Sequence, residues 1–187
     1  MKSIYPVLCS LLITAAIGAC SDEPTVATGP VAAPAGTVKA LLNGASFTSD
    51  SGTASSAEYI RSSRLLTIFG TKGGNEELSI TIFSLNGAGT YALGGQQSKG
   101  LASFAHFDRV DTTLTRTYAT NAEKAGTMVL TKFDTVGGVI SGTFKFNALQ
   151  LSPSGTTNTM TVLDGSFTDL PLTLRDSSAA RSEWIKD

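Results

Sequence analysis

Between Glu77 and Leu85 the side chains alternate, with Leu78, Ile80 and Ile82 set against Ser79, Thr81 and Phe83. A period of two is that of a strand with one buried face, and it excludes an amphipathic helix over the same residues. The alternation recurs along the chain. Thr37 to Leu42 reads as a strand, and Asn43-Gly44 after it supplies two residues that tolerate positive φ, the strongest short hairpin signal available. Phe47 points inward from the returning strand, and Ser49 to Ser56 reads as a polar loop. Further strands are expected at Glu58–Arg61, Leu65–Phe69, Gly89–Leu93, Leu101–Phe107 and Thr113–Ala119. Gly126 to Phe133 pairs with Val139 to Leu149, on which Ile140, Gly142, Phe144 and Phe146 share one face. A last strand opens at Thr159 and runs through Phe167. Apart from Ala179 to Ile185, no segment carries a 3.6-residue apolar stripe. About nine to ten short strands separated by Gly, Asn and Asp predict an all-β fold, an antiparallel β-sandwich or barrel. Periodicity does not choose between the two.

This β-rich domain is expected to span residues 37–175, and what precedes it differs in kind. Lys2 leads an apolar run from Ile4 to Ala16 that is shorter than the ~20 residues of a membrane-spanning helix and ends in small residues, as a cleaved signal does. Ile17-Gly18-Ala19-Cys20 resembles the lipobox recognised by the lipoprotein-specific signal peptidase. Residues 1–19 are therefore expected to be removed and Cys20 to receive the lipid; several acyl chains hold a protein at a membrane where one does not. Ser21-Asp22-Glu23 resembles the acidic signals of lipoproteins carried to the outer membrane and displayed at the cell surface. Pro24 to Gly36 contains only Pro, Ala, Val, Thr and Gly, so residues 20–36 read as a lipidated cysteine and a semi-extended tether, reaching roughly 40 Å. Residues 176–187 are a C-terminal tail or short helix carrying Trp184.

Of the two cysteines, Cys9 leaves with the signal and Cys20 is taken by the lipid, so the domain is expected to be held by packing alone, without disulfides. Lys and Arg number 14 against 15 Asp and Glu, no basic run occurs, and a nucleic-acid partner is not expected.

Catalytic constellations are hard to assemble from what remains. The single histidine, His106, stands two residues before Asp108 and five before Asp111, a set that could gather at a hairpin end as nitrogen and oxygen metal ligands. The competing reading is a solvated turn. No G-x-S-x-G elbow accompanies the histidine. Glu76-Glu77 starts a strand, and Asp164, Asp169 and Asp176 stand where strand ends and turns are expected. The glycine-rich pieces do not precede helices, so a phosphate cradle is not expected. No cofactor is implied. Tyr59, Tyr91, Phe104, Phe107, Tyr118 and Trp184 could include an aromatic binding platform, but in a domain of this size most of them are expected to be core.

The segments Ala40-Leu41-Leu42-Asn43-Gly44-Ala45-Ser46-Phe47, Gly89-Thr90-Tyr91, Ile140-Ser141-Gly142-Thr143-Phe144 and Asp164-Gly165-Ser166-Phe167 together resemble a family of uncharacterised Bacteroidetes-type outer-membrane lipoproteins. Their domain has no known function. The resemblance implies a single β-rich extracytoplasmic domain on a lipobox and short tether, and it brings no catalytic or binding residues. The expectation is a lipid-anchored binding or interaction module, not an enzyme, facing a glycan, peptide or envelope protein. A structural part in envelope assembly and, further off, a hydrolase using paired carboxylates are the alternatives.

Overall fold

The computed structural model describes residues 30–95, 99–107, 114–151 and 158–176. They form eleven strands: β1 (Thr37–Leu42), β2 (Ala45–Thr48), β3 (Ser55–Ile60), β4 (Leu65–Lys72), β5 (Glu76–Ile82), β6 (Gly89–Leu93), β7 (Gly100–Phe107), β8 (Leu114–Ala119), β9 (Gly126–Asp134), β10 (Val139–Gln150) and β11 (Thr159–Arg175). Among the described residues the only helical element is a 3-10 turn at Gly52–Ala54. The signal segment, Cys20, the start of the tether, Asp108, Asp111 and Trp184 lie outside the described residues, as does the stripe from Ala179 to Ile185.

Hydrogen-bonded neighbours run from β11 through β3, β4, β5, β7, β8 and β10 and back to β11. Seven strands thus close a ring. The β1–β2 hairpin extends from β11, and the β9–β6 pair extends from β10. The sheet is therefore barrel-like, and its two longest strands, β10 and β11, are each shared between the ring and an extension.

The turns form as their chemistry dictates. Asn43 and Gly44 take φ of 49° and 85°, so β1 returns directly as β2, with Ala40 opposite Phe47. Alternation then sets the faces. Leu66 and Ile68, Leu78, Ile80 and Ile82, Met128 and Leu130, and Ile140, Phe144 and Phe146 all point inward and are at most 3% exposed. Each such side chain stabilises the fold by roughly 1.5–3 kcal/mol on burial. Phe144 stacks on Phe146 and on Phe167 at centroid distances of 6.3 and 6.4 Å. Phe47 meets Phe104 edge-on at 6.2 Å, which ties β2 to β7 across the interior.

Three features depart from the sequence expectations. The Ser49–Ser56 stretch is not a solvated loop throughout. Ser49 and Ser55 are buried, Ser49 Oγ accepts the Val38 N–H at 2.8 Å, and Ser55 Oγ donates to the Asp50 carbonyl at 2.6 Å. The last strand continues well past Phe167, and its final residues, Leu172 to Arg175, pair in parallel with Ala57 to Ile60. Asp164 and Asp169 do not end strands: both sit inside β11 at φ of 50° and 44°, where the register against β10 slips. They are bulge residues, and Asp is among the few side chains that tolerate the left-handed region.

Close packing around the ring makes one glycine diagnostic. A Cβ on Gly142 would lie 2.4 Å from the Val129 carbonyl and 2.7 Å from Phe167 Cζ. Gly142→Ala is therefore expected to cost about 1–3 kcal/mol, read as a lower urea midpoint with an unchanged slope; a midpoint equal to that of the parent would contradict this packing.

Candidate functional site

The interior is occupied by one apolar cluster from Val38 to Leu172, and the hollows described here open on the outside. The first group lies on the outer face of β9, β10, β11 and β1. Because Phe144 and Phe146 point in, Thr143, Lys145 and Asn147 point out; by the same rule β9 presents Thr127 and Val129, and β1 presents Lys39 and Leu41. At the bulge, Leu163 and Asp164 stand exposed opposite Lys145. One hollow of about 390 Å³ is lined by Pro30, Thr127, Val129, Thr143, Lys145, Leu163 and Asp164. A neighbouring one of about 430 Å³ shares Thr127, Lys145 and Leu163 and adds Asn147 and Thr161.

A strap of the chain crosses this face. Ser166 Oγ donates to the Val31 carbonyl at 3.0 Å, the Gly36 N–H donates to the Thr168 carbonyl at 2.8 Å, and Ala33 is 5% exposed. Residues 30–36, which composition alone reads as spacer, are thus docked on the sheet. A smaller hollow beside the strap is lined by Val31, Lys39, Leu41 and Asp164.

The second location is the free edge of β6. A hollow of about 440 Å³ runs beside it, lined by Ser84, Asn86, Ala88, Gly89, Thr90, Tyr91, Ala92 and Lys99. Its floor is fixed by Tyr91, whose hydroxyl donates to the Gly87 carbonyl at 2.6 Å and accepts the Asn86 N–H at 3.2 Å. Arg64 donates to Asn86 Oδ1 at 2.8 Å and steadies the far wall.

A polar network, exposed to solvent, lies near the second bulge. Lys132 Nζ meets Asp169 Oδ1 at 2.9 Å, and Ser141 Oγ accepts the Asp169 N–H at 2.9 Å. The hydrogen bond from Lys132 holds the Asp169 carboxyl below its ordinary value, and the same bond raises the Lys132 ammonium above its own. Asp134 is also lowered, first by the Gly137 N–H at 2.7 Å.

The residues singled out from sequence are scattered by the fold. His106 lies in β7 opposite Glu76 and Arg116, and its two proposed co-ligands, Asp108 and Asp111, fall outside the described residues. Among the described residues no three His, Cys, Asp or Glu side chains gather in metal-binding geometry. Glu76 lies 3.8 Å from Lys72 at the start of β5. Most of the described aromatics are core, as expected: Tyr91, Phe104 and Tyr118 are buried, and Tyr59 packs edge-on against Phe133 at 5.2 Å; Trp184 lies outside the described residues. The exposed large apolar residues include Phe83 and Leu101, placed diagonally on the outer face because Thr81 pairs with Leu101. Sequence reasoning missed Lys145 and the β6 edge, and it read Asp164 as a strand-end or turn residue. Alternation around Phe144 and Phe146 already put Lys145 outside, whereas the bulge had no sequence signal beyond an aspartate.

The profile of a family described as a domain of unknown function, DUF6252, matches residues 35–171. The chain belongs to that family. The DUF6252 match begins inside the docked strap and ends within β11, so it covers both extensions and most of the ring. No curated protein and no solved structure matches the chain.

The Lys132–Asp169 pair yields a pH prediction. A carboxyl lowered by folding contributes stability that is present above its unfolded value, near 4, and lost as pH falls through the lower folded value. The raised lysine contributes stability below its unfolded value, lost as pH rises through the folded one. Asp169→Asn keeps a residue that tolerates the bulge and removes the charge. Its unfolding free energy should fall less steeply than the parent's as pH drops below 4, in urea titrations at low salt; an identical acid slope would show the pair to be energetically silent.

Proposed function

We propose that this chain is a lipid-anchored binding module of the bacterial cell envelope, held at the outer membrane through Cys20. The observation that carries the reading is the docking of the strap. The tether is seated on the outer face of the sheet beside the open hollows around Lys145 and Asp164, while the interior is filled by apolar side chains. Ligand recognition in such a domain belongs to its surface, where a glycan, a peptide or another envelope protein can reach it. The lipobox-like Ile17-Gly18-Ala19-Cys20 and the acidic Ser21-Asp22-Glu23 support attachment to the membrane and export to its outer leaflet. Docking also bounds how far the domain can stand from Cys20. With residues 30–36 held to the sheet, nine residues lie between Cys20 and Pro30, and the ten steps at about 3.3–3.6 Å each span at most ~35 Å.

Metabolic labelling with a palmitate analogue tests the anchor. The parent chain should take up label, lose the mass of residues 1–19 and fractionate with the outer membrane. Cys20→Ala should take up none, keep its full mass and lose the acyl-dependent fractionation. An unlabelled parent, or a variant processed and retained like the parent, would refute the anchor.

A further inference from the structure

We infer that the free edge of β6 is a strand-addition site, which takes one extended, acidic segment of a partner polypeptide as a further strand of the sheet. This inference rests on the binding-module reading and gives it a site and a partner class.

The backbone geometry identifies which groups are available. The Asn147 N–H donates to the Ala125 carbonyl at 3.1 Å, so the odd residues of β9 bond to β10. Its even residues, Gly126, Met128 and Leu130, are left to face β6, where they stand opposite Leu93, Tyr91 and Gly89. Thr90 and Ala92 therefore turn their N–H and C=O groups away from β9. The next even residue bears this out: the Gly94 N–H, on the same side, donates to the Gly100 carbonyl at 2.9 Å. At Thr90 and Ala92 no such partner exists among the described residues.

Exposed edges are ordinarily guarded by charge, proline or a bulge. The sequence Gly89-Thr90-Tyr91-Ala92-Leu93 has no charge and no proline, and its register against β9 is unbroken. What lies beside it is a hollow, not open solvent, with Ser84 and Asn86 on the opposite wall. A strand added to a sheet sits about 4.8 Å from its neighbour, which places it in this hollow. Lys99 supplies the charge preference. It is exposed at the rim of the hollow, has no ion-pair partner among the described residues, and suits a side-chain or terminal carboxylate of the added segment. Main-chain hydrogen bonds then give affinity, and Lys99 with the pocket walls selects sequence.

The test is a display selection of random linear peptides of about twelve residues against the purified full-length protein in detergent, with the best binders titrated by fluorescence polarisation. Selected peptides should carry an acidic residue and bind with a 1:1 stoichiometry. Thr90→Pro and Ala92→Pro each remove one outward N–H and leave the β9 ladder intact, since proline is tolerated on the free side of an edge strand. Each should weaken binding about tenfold, the value of one backbone hydrogen bond at the upper end of its range, while Thr90→Val should not. Lys99→Glu should weaken binding of acidic peptides selectively. Independently of any variant's folding, N-methylating the peptide backbone should abolish binding at alternate positions only. The inference is overturned if no peptide is selected, if N-methylation shows no two-residue periodicity, or if folded proline variants bind as the parent does. Binding accompanied by dimerisation would also overturn it, in favour of self-association. None of these outcomes bears on the Cys20 anchor, which is scored by acylation.

Discussion

The antiparallel pairing of β10 with β11 is the contact on which the other strands depend. Among the described residues it is the most extended ladder, running from Val139–Pro171 to Leu149–Thr159, and each member has neighbours elsewhere. β10 carries β9 and, at its end, β8; β11 carries β1 along its first half and β3 along its last residues. A straight pair could not serve both the ring and the extensions. The two register slips, at Lys145 and Ser141 of β10, supply the bend; Phe144 and Phe167 stack between them, and Phe146 continues the stack just beyond the first. Bulges raise local twist and redirect a strand, so Asp164 and Asp169 fix the sheet's curvature as firmly as the apolar residues fix its faces.

The same bends create the outer surface. The Asp164 bulge lifts Leu163 and its own carboxylate out of the ladder and hollows the face beside Lys145. Asp169 is turned toward Lys132 and Ser141. At the far edge, β6 follows β9 without interruption and ends by joining Gly100, so its free stretch is confined to Thr90 and Ala92. Curvature, surface relief and the available edge thus follow from one arrangement of backbone hydrogen bonds.

Much of this was legible in the sequence, for reasons specific to each element. Asn43-Gly44 announced its hairpin because few residues other than Asn and Gly take positive φ in succession. Ile140, Gly142, Phe144 and Phe146 announced a shared face because a strand's side chains alternate. The end of β11 was hidden by the same logic. Asp164, Asp169 and Pro171 each break an alternating pattern, and turn chemistry is their usual meaning. In the fold, the aspartates occupy bulges, and Pro171 sits where β11 has left β1 and not yet met β3. A parallel pairing between Leu172 and Ala57 joins residues far apart in sequence and leaves no local mark. The outward position of Lys145 was implicit in its neighbours, whereas the free groups of Thr90 and Ala92 depend on which side of β6 meets β9, a choice that only tertiary pairing makes.

Closure of the ring requires that β11 run as one continuous strand from β10 to β3. Native-state hydrogen exchange at residues 170–175 and 55–60 addresses it directly. If the parallel pairing with β3 is integral to the ring, the bonded amides in both stretches should exchange only through global unfolding, with the same free energy as those of Phe144 and Phe146. Rapid exchange from Leu172 onward, as in a fraying end, beside slow exchange in β10 would contradict the closed ring and leave an open sheet in its place.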